Sequence, residues 1–275
     1  MWHQRHHQWP PHLYHERDRR RAMNWPKTFY LVLNEFPERA TRAMGHLVSS
    51  GIQATPFYGI YGPKFHLTTD MPNERVAAAK EAHYKQVVGL PTKREANKPY
   101  YVTPGHIGCS LSHYMLWQTC LHLPDDYFLI FEDDVVLTPG FVDIFERIVP
   151  TMPEDWEFAF VGYYFLPDSA QITKVGKYLR KTSISPLCTH AYMVHKRGLP
   201  KLLAEGFRIW CHVDEQLREY VMPRMNYYLF PDGLAKQLSF EHYQQTVLAK
   251  NQDNLNSAQR SLTYDWNFID WPPKS

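Results

Sequence analysis

The stretch "FLIFEDDVVLTPGF", residues 128–141, decides the fold of this chain. Four apolar residues lead into three consecutive carboxylates, Glu132, Asp133 and Asp134, and apolar residues resume before the turn signal Thr138-Pro139-Gly140. An apolar run of this length bounded by a turn is typical of a buried strand. Carboxylates are rarely buried without a partner, so the stretch raises the question of what lies opposite them.

Two explanations fit these three acids. Side chains alternate along a strand, so we expect Glu132 and Asp134 on one face and Asp133 on the other. Two unit charges about 5 Å apart repel by roughly 3 kcal/mol at an effective dielectric near 20. A divalent cation would turn that repulsion into attraction, and hard oxygen ligands suit magnesium or manganese. The alternative is a strand end at the surface, with its acids in water or paired with Arg or Lys, and the three residues alone leave both open.

The composition places the chain among globular proteins. Its 275 residues, 44% hydrophobic and 21% charged, suffice for one large domain with a core. The net charge of +2 is too small to indicate a nucleic-acid-binding surface. The aromatic content of 15% suits sugar rings and bases, although aromatic residues also fill cores.

The cysteines and the hydropathy pattern indicate a reduced, cytoplasmic setting. The four cysteines lie far apart without a C-x-x-C pair, which argues against a zinc knuckle and a disulfide scaffold. The sequence also lacks an apolar run of membrane-spanning length, a secretory signal peptide and an Asn-x-Ser/Thr sequon.

Three regions are expected along the chain. Residues 1–22 form a His- and Arg-rich tail that we expect to be disordered, or that precedes the true start because an ordinary domain begins at Met23. The main domain is expected over 23–240. A C-terminal extension over 241–275 is polar with an aromatic end, and its Trp266, Phe268 and Trp271 could touch lipid.

The order of predicted elements favours an α/β layer fold. A strand over 28–33, a helix with Pro37 near its start and Gly51 at its end, and a strand from 52 give a β-α-β opening. This opening has neither a G-x-G-x-x-G nor a Walker sequence, which argues against a dinucleotide or P-loop site. Three more helices are expected in the first part of the chain: one over 71–89, one from the N-cap Thr103 to before Pro124, and one over 139–153. A strand over 156–165 and a strand, turn and helix over 184–206 follow. A helix from His212 and a last strand over 225–231 complete the expected elements.

With these blocks in order, the chain resembles glycosyltransferase family 25, the group of lipopolysaccharide and procollagen galactosyltransferases. Two adjoining motifs carry most of the likeness: "HIGCSLSHYMLWQ" resembles the family's Gly-Cys-x-x-Ser-His helix, and "FLIFEDDVVL" its Glu-Asp-Asp strand. "FYLVLNEFPERATRA" resembles the opening strand and turn, and "CTHAYMVHKRGLPKLL" with "HVDEQL" resembles a later strand and aspartate. The likeness spans roughly Lys27 to Ser239.

The resemblance implies a GT-A-like (Rossmann-like) nucleotide-sugar-binding fold with a mixed central sheet flanked by helices. It also implies an enzyme that moves galactose or glucose from a UDP-hexose donor, with inversion, to a hydroxyl of a glycan such as lipopolysaccharide or lipooligosaccharide. Mn²⁺ or Mg²⁺ would be its cofactor. The expected partners are a nucleotide sugar and a glycan or glycolipid, without nucleic acid. A lipopolysaccharide acceptor would place the enzyme in the cytoplasm, peripheral to the inner membrane.

The resemblance also assigns roles to the acids and to one histidine. Glu132 and Asp134 would hold the metal, and Asp133 would contact the ribose or a backbone amide or have a structural role. Asp214 would be the catalytic base or contact the acceptor, although an acid at a helix start also serves as an N-cap. Its neighbour Glu215 is the substitute base. His113 would contact nucleotide or acceptor, with a buried core histidine as the alternative.

The remaining candidates are donor-binding residues. Asn34, Arg39, Ser112 and His190 match family positions, and for Arg39 a solvated helix charge is an equal alternative. Two positions depart from the family pattern: His106 stands where a Glu is frequent, and Glu35 stands where a Leu is usual. The loss of that Glu weakens the start of the helix if Thr103 is the N-cap. The resemblance therefore determines the donor contacts in the loop around Glu35 least.

Two other function classes stay open. Glu132-x-Asp134-x-Val136 mimics the Asp-x-Asp strand end of haloacid-dehalogenase-type phosphatases, but its nucleophile would have to be Glu. A catalytically silent sugar-binding module with the same fold is the other alternative, which the retention of all three acids disfavours.

Overall fold

The computed structural model describes residues 25–64, 104–164, 166–205 and 212–238. Its strands are, in chain order, β1 (Lys27–Val32), β2 (Thr55–Tyr58), β3 (Tyr127–Glu132), β4 (Val135–Leu137), β5 (Phe158–Tyr164), β6 (Ile172–Val175), β7 (Leu179–Thr182), β8 (Leu187–His195), β9 (Tyr227–Leu229) and β10 (Ala235–Gln237). Its α-helices are α1 (Pro37–Ser49), α2 (Pro104–His122), α3 (Phe141–Ile148), α4 (Leu199–Glu205) and α5 (Val213–Gln216). A π-helical turn, Leu217–Val221, continues α5, and short 3₁₀ turns cover Gly62–Lys64, Val149–Thr151, Lys196–Gly198 and Met222–Arg224.

The strands form one eight-stranded mixed sheet in the order β2-β1-β3-β8-β5-β9-β7-β6, and β10 pairs with β4 in a separate ribbon. The pairs β1–β2, β1–β3 and β5–β9 are parallel, whereas β8 runs antiparallel to both β3 and β5. This architecture confirms the predicted α/β class with a mixed central sheet and helices.

Strand β3 lies inside the sheet and is buried on both faces. Phe128 and Ile130 belong to the apolar cluster packed on α2, whereas Leu129 and Phe131 belong to the opposite cluster with α1 and α3. All four side chains are 0% exposed, and burial of each such side chain stabilises the fold by about 1.5–3 kcal/mol. A continuous apolar run of this kind is therefore the sequence signature of a strand covered on both sides.

Three details differ from the sequence prediction. Strand β3 ends at Glu132, and Asp133 and Asp134 form a turn before β4, so strand alternation does not decide which way the three acids point. The β6–β7 hairpin was not predicted because β6, "ITKV", is largely exposed and lacks an apolar run. Strand β10 follows the segment expected to be last and is only three residues long.

Several predictions fall on residues outside the described part of the chain. These are the tail over 1–22, the helix over 71–89, the N-cap Thr103 and the extension over 241–275. Among the described residues, helices are too short or too polar to cross a bilayer.

Candidate active site

The three acids of the opening stretch lie at the carboxyl end of β3, beside the end of β1. Leu31 of β1 is in register with Glu132, so the loop that carries Asn34 leaves the sheet at the same edge. Asn34 is exposed in that loop. Asp133 and Asp134 are 7% and 3% exposed, and the Leu238 amide donates a hydrogen bond to the Asp134 carbonyl at 2.8 Å. The two aspartates are thus buried rather than placed in open solvent, and Leu238 lies against the backbone of Asp134.

Glu132 is held by a chain of hydrogen bonds that begins in the core. The Trp117 indole N–H donates to the Tyr192 hydroxyl at 2.8 Å, and that hydroxyl lies 3.0 Å from Nδ1 of His113. His113 Nε2 lies 3.1 Å from Oε1 of Glu132. Because an indole can only donate, Tyr192 can accept from Trp117 and donate to Nδ1, which leaves the imidazole proton on Nε2, directed at the carboxylate.

A second donor fixes the same carboxylate oxygen. The Thr189 hydroxyl donates to Glu132 Oε1 at 2.6 Å. Burial by itself would raise the pKa of Glu132, but the interactions with His113 and Thr189 outweigh burial and lower it. Glu132 is therefore an ionised carboxylate held in one orientation.

Asp133 pairs with the helix that follows β1. Arg39 donates to its Oδ1, and Arg42 donates to its backbone oxygen at 3.0 Å. Burial raises the pKa of Asp133 to about 7; Arg39 opposes this shift, while Asp134 and Glu132 add to it. One of the three acids thus follows the alternative expectation, pairing with an arginine, and Arg39 is engaged with an acid of the chain itself.

Asp214 lies at the second position of α5, not at the N-cap, which is His212. Its Oδ2 accepts a hydrogen bond from the Cys188 amide and its Oδ1 accepts one from the Glu215 amide, both at 2.9 Å. Cys188 has a φ of +77°, the one positive value at a non-glycine residue in the described chain. Such a backbone costs of order 1–3 kcal/mol and is frequent at functional sites. Here it accompanies the docking of β8 onto Asp214.

Acids from two parts of the chain, residues 132–134 and Asp214, lie near two thiols. Burial raises the pKa of Cys188, and the negative charges of Asp214, Glu132 and Asp134 raise it further. Burial raises the pKa of Cys109 too, with the same three carboxylates and Asp133 adding to the shift. Glu132, Asp134 and Asp214 therefore act electrostatically on one small volume, the candidate active site.

His190 is buried at the edge of this site. It is 0% exposed, and its Nε2 lies 3.2 Å from the Ala235 carbonyl oxygen, which can only accept, so Nε2 carries the proton. Burial lowers the pKa of His190 although Asp134 and Glu132 oppose this, so the ring is neutral. A Cβ on Gly162 would lie 2.3 Å from His190 Nε2, which is why glycine is required where β5 passes the ring.

Ser112 has a structural position in this geometry. Its Oγ accepts from the Ile60 amide at 2.8 Å and donates to the Gly108 carbonyl at 2.6 Å. A Cβ on Gly108 would lie 2.5 Å from the Ile60 oxygen. The Gly-Cys-x-x-Ser-His motif thus combines close packing of α2 on the loop after β2 with the presentation of Cys109 and His113.

Glu215 and His106 each contact a residue in or next to the helix that carries Asp214. A Glu215 oxygen lies 4.0 Å from a guanidinium nitrogen of Arg218, one turn further along. His106 is buried, and its ring lies 3.8 Å from that of His212, the residue at the start of α5. The residue that departs from the family pattern therefore contacts the segment that carries Asp214.

Several site residues escaped sequence reasoning. The predicted site residues did not include Thr189, Tyr192, Cys109, Arg42 or Cys188. The signal for Thr189 and Tyr192 was their place in the "CTHAY" strand, because β8 pairs antiparallel with β3 and brings Tyr192 opposite Ile130. No local pattern indicates Arg42, whose contact with Asp133 spans 91 positions of sequence.

The donor atoms of the site fit a divalent cation. The carboxylates of Glu132 and Asp134 are hard oxygen ligands; burial raises the pKa of Asp133, and the repulsion from these two acids, which adds to that shift, is the kind that a cation relieves. A softer set lies alongside: Cys109 Sγ, a His113 nitrogen and a Glu132 oxygen lie within 4.8 Å of one another, but His113 would have to give up its hydrogen bond to Tyr192 or Glu132 to bind a cation. Mn²⁺ accepts oxygen and imidazole ligands alike, whereas a thiolate set would favour zinc.

Comparison with known families gives one match over most of the chain. The model of "Glycosyltransferase family 25 (LPS biosynthesis protein)" matches residues 27–217. A "Glycosyltransferase 25 family member" of Aedes aegypti is 28% identical over 39% of this chain and 18% of its own length.

Two mammalian relatives carry names that state a lack of activity. The "Inactive glycosyltransferase 25 family member 3" of Mus musculus is 23% identical over 68% of this chain and 26% of its own length. The "Probable inactive glycosyltransferase 25 family member 3" of Rattus norvegicus is 24% identical over 66% and 30%, respectively. The chain thus spans less than a third of the length of the curated relatives it matches.

Two solved structures show more distant likeness. A glycosyltransferase involved in the glycosylation of the major capsid of PBCV-1 is 12% identical, with a TM-score of 0.40 over 74% of this chain and 81% of its own. The inositol-1-phosphate CTP transferase from T. maritima is 10% identical, with a TM-score of 0.39 over 77% and 88%.

Proposed function

This chain belongs to glycosyltransferase family 25, and on that premise we propose that it is a metal-dependent inverting glycosyltransferase. The donor is a UDP-hexose carrying galactose or glucose, and the acceptor is a hydroxyl of a glycan such as lipopolysaccharide or lipooligosaccharide. The observation that carries the proposal is that two adjacent residues of β8 join the acids: the Thr189 hydroxyl donates to Glu132 at 2.6 Å and the Cys188 amide donates to Asp214 at 2.9 Å.

The position of the acids supports a nucleotide-sugar site. In α/β sheets, ligands bind in the crevice outside the carboxyl ends of the strands. Glu132 and the loop with Asn34 lie at the carboxyl ends of the parallel strands β3 and β1. A donor diphosphate at this edge would lie near the start of α1, which follows β1 directly.

Glu132 and Asp134 would hold Mn²⁺ or Mg²⁺, with diphosphate oxygens completing the shell. When bound, the cation stabilises the negative charge that develops on the leaving diphosphate. Thr189 and His113 act as positioning residues, because both bond to the carboxylate of Glu132 and fix its orientation.

Asp214 is the proposed general base. Its carboxylate accepts hydrogen bonds from two backbone N–H groups, which hold it in one orientation. Further lone pairs remain for the hydroxyl of the acceptor. As the acceptor oxygen bonds to C1 of the hexose, its proton passes to Asp214 and the C1–O bond to the diphosphate breaks, so UDP leaves. Glu215 is the weaker candidate because it lies beside Arg218.

Specific observations favour a second candidate, a catalytically silent sugar-nucleotide-binding module. Asp133 is already neutralised by Arg39, and Glu132 already accepts two hydrogen bonds. The mouse and rat relatives are also named inactive. Such a module would bind UDP without turning over its sugar esters.

The deciding experiment measures UDP binding and turnover separately. Isothermal titration of UDP with MnCl₂, and again with EDTA, gives the metal-dependent affinity. UDP release from UDP-galactose and UDP-glucose over a panel of glycan acceptors gives the activity. Binding that requires manganese together with UDP release supports the transferase, binding without release supports the silent module, and absence of both contradicts the proposed donor site.

Membrane association belongs to the same proposal. The family model is described as an LPS biosynthesis protein, and a lipid-linked acceptor would bring the protein to the inner face of a membrane. Sedimentation with vesicles that contain lipopolysaccharide, compared with phosphatidylcholine vesicles, tests this part.

A further inference from the structure

A cavity of about 960 Å³ opens between the β6–β7 hairpin and the turns that follow α5. We propose that this cavity binds a neutral saccharide, the sugar unit of the acceptor that lies next to the reacting hydroxyl. The inference rests on the proposed function and assigns the acceptor side of the same site. Its size is at the upper end of the range of roughly 300–1,000 Å³ that small-molecule sites occupy.

The cavity contains a buried polar group that a ligand would satisfy. Ser185 lines it and is 3% exposed, and its Oγ makes no hydrogen bond to any residue in the described part of the chain. The Ser185 backbone is fixed, because its carbonyl accepts a hydrogen bond from Arg218 Nε at 2.9 Å. A hydroxyl that is buried and rigidly placed, yet unbonded within the protein, suits a hydroxyl of a ligand.

The charges around the cavity favour a neutral ligand. Lys181 and Arg218 contribute two positive charges to its lining, and Asp168 and Glu219 contribute two negative ones. Phosphate or carboxylate groups would meet as much repulsion as attraction from these four residues. A polyhydroxylated ring instead uses donors and acceptors of both kinds.

Apolar and hydroxyl groups share the remaining lining. Met222 and Met225 offer apolar surface for the C–H face of a sugar ring, and Thr182 and Tyr227 offer hydroxyls. The Tyr227 hydroxyl donates to the Thr182 carbonyl at 2.7 Å, which fixes its position. Mostly apolar walls with a few fixed polar groups are typical of ligand sites.

The cavity walls continue into the candidate active site. Ser185 of the cavity lies three positions before Cys188 in the sequence, and Arg218 lies about one helical turn after Asp214. The hydrogen bond from the Cys188 amide to Asp214 at 2.9 Å joins these two segments. The turn that carries Arg218 is π-helical. This conformation is rare in proteins, and where it occurs it often lies at a functional site. A saccharide in the cavity would therefore extend along the segments that carry the proposed base.

Two pairs of matched variants test the inference. Ser169→Trp puts a large ring at an exposed position of the cavity lining, whereas Thr173→Trp puts the same ring at an exposed position of β6 outside it. Ser185→Ala removes the buried hydroxyl of the cavity. Ser110→Ala removes another buried hydroxyl without a hydrogen bond in the described chain, on α2 and away from the cavity lining.

The measurement is direct binding, by saturation-transfer NMR, of methyl β-galactoside, methyl β-glucoside and lactose, with inorganic phosphate as a competitor. We expect at least one glycoside to bind, Ser169→Trp to abolish that binding, and Thr173→Trp to keep it. Ser185→Ala should weaken binding about three- to tenfold, the change expected for one neutral hydrogen bond, and Ser110→Ala should not. Phosphate should not compete.

Three results overturn the inference: no binding of any of the three glycosides, equal binding to the two tryptophan variants, or displacement by phosphate. Titration of UDP with MnCl₂ on the same proteins separates this failure from that of the proposed function. If the glycosides do not bind but UDP still binds in the presence of manganese, only the cavity proposal is wrong. If a glycoside binds but UDP does not, the saccharide site is supported and the proposed transferase function is wrong.

Discussion

Thr189→Val tests whether Glu132 is held for a metal by the residues that surround it. Valine has nearly the shape of threonine, so the variant removes little more than the hydroxyl that donates to Glu132 Oε1 at 2.6 Å. Among the described residues that donate to that oxygen in the native protein, His113 then remains. Hydrogen bonds to charged groups contribute about 1.5–3 kcal/mol, so we expect the free energy of unfolding to fall by about this amount.

The same substitution should weaken the metal site. Groups that orient a metal ligand typically change metal affinity or activity by roughly 10–100-fold when they are lost. We therefore expect manganese-dependent UDP affinity to fall by about this factor, while UDP affinity in EDTA is unchanged. Urea denaturation measures the stability and isothermal titration measures the affinity.

Thr119→Val is the matched control for this prediction. Thr119 is exposed on α2, and its hydroxyl donates to the Met115 carbonyl at 2.9 Å without touching an acid. The control should change neither stability nor UDP affinity beyond a few tenths of a kcal/mol. A Thr189→Val protein that binds UDP and manganese like the wild type would refute the reasoning that Glu132 is a positioned ligand.

Three further outcomes are expected. Asp134→Ala should abolish manganese-dependent UDP binding and transfer while circular dichroism and thermal denaturation still report a folded protein; unchanged turnover removes the metal assignment. Asp214→Asn should lower transfer by roughly 10²–10⁴-fold, the contribution of a general base, with donor binding kept, and normal transfer would exclude it as the base. His46 Nε2 accepts the Leu137 amide at 2.8 Å, and burial, with Arg42 adding, lowers the pKa of His46. Its stabilising contribution is therefore complete above its unfolded pKa of about 6.5 and is lost as the pH falls below that value, so urea denaturation from pH 7.5 to 5 should show a smaller loss for His46→Gln than for wild type.

The arrangement around Asp133 bears on how a donor would be recognised. Arg39 was a candidate partner of the diphosphate, yet it donates to Asp133 on the turn after β3. A bound diphosphate would compete with Asp133 for Arg39, and a cation beside Glu132 and Asp134 would in turn attract Asp133. Donor and metal would then bind cooperatively because each relieves the charge that the other leaves unbalanced.

The spacing of the four cysteines predicts neither a zinc knuckle nor a disulfide scaffold, and no role in the site was predicted for them. Two of them instead face the acids, and burial with the nearby negative charges raises the pKa of both thiols. Each thiol therefore stays protonated at neutral pH and does not act as a nucleophile. Cys109 and Cys188 line the site as small, polarisable side chains.

The sequence by itself determined the class of the fold and the place of the acids in it. The apolar run before Glu132, bounded by a turn, is typical of a strand covered on both faces, and β3 is such a strand. The β-α-β opening followed from local signals such as Pro37 at the start of α1. These features are readable because hydrophobic periodicity and turn residues act over a few neighbouring positions.

The tertiary structure alone decided which groups meet the acids. Arg39 reaches Asp133 across 94 positions of sequence, Thr189 reaches Glu132 across 57, and Asp214 reaches Cys188 across 26. The direction of the acids depends on a turn that ends β3 at Glu132, and the polar β6–β7 hairpin joins the sheet through β9. Side-chain contacts of this range depend on strand order and register, which the packing of the whole sheet decides and no local pattern records.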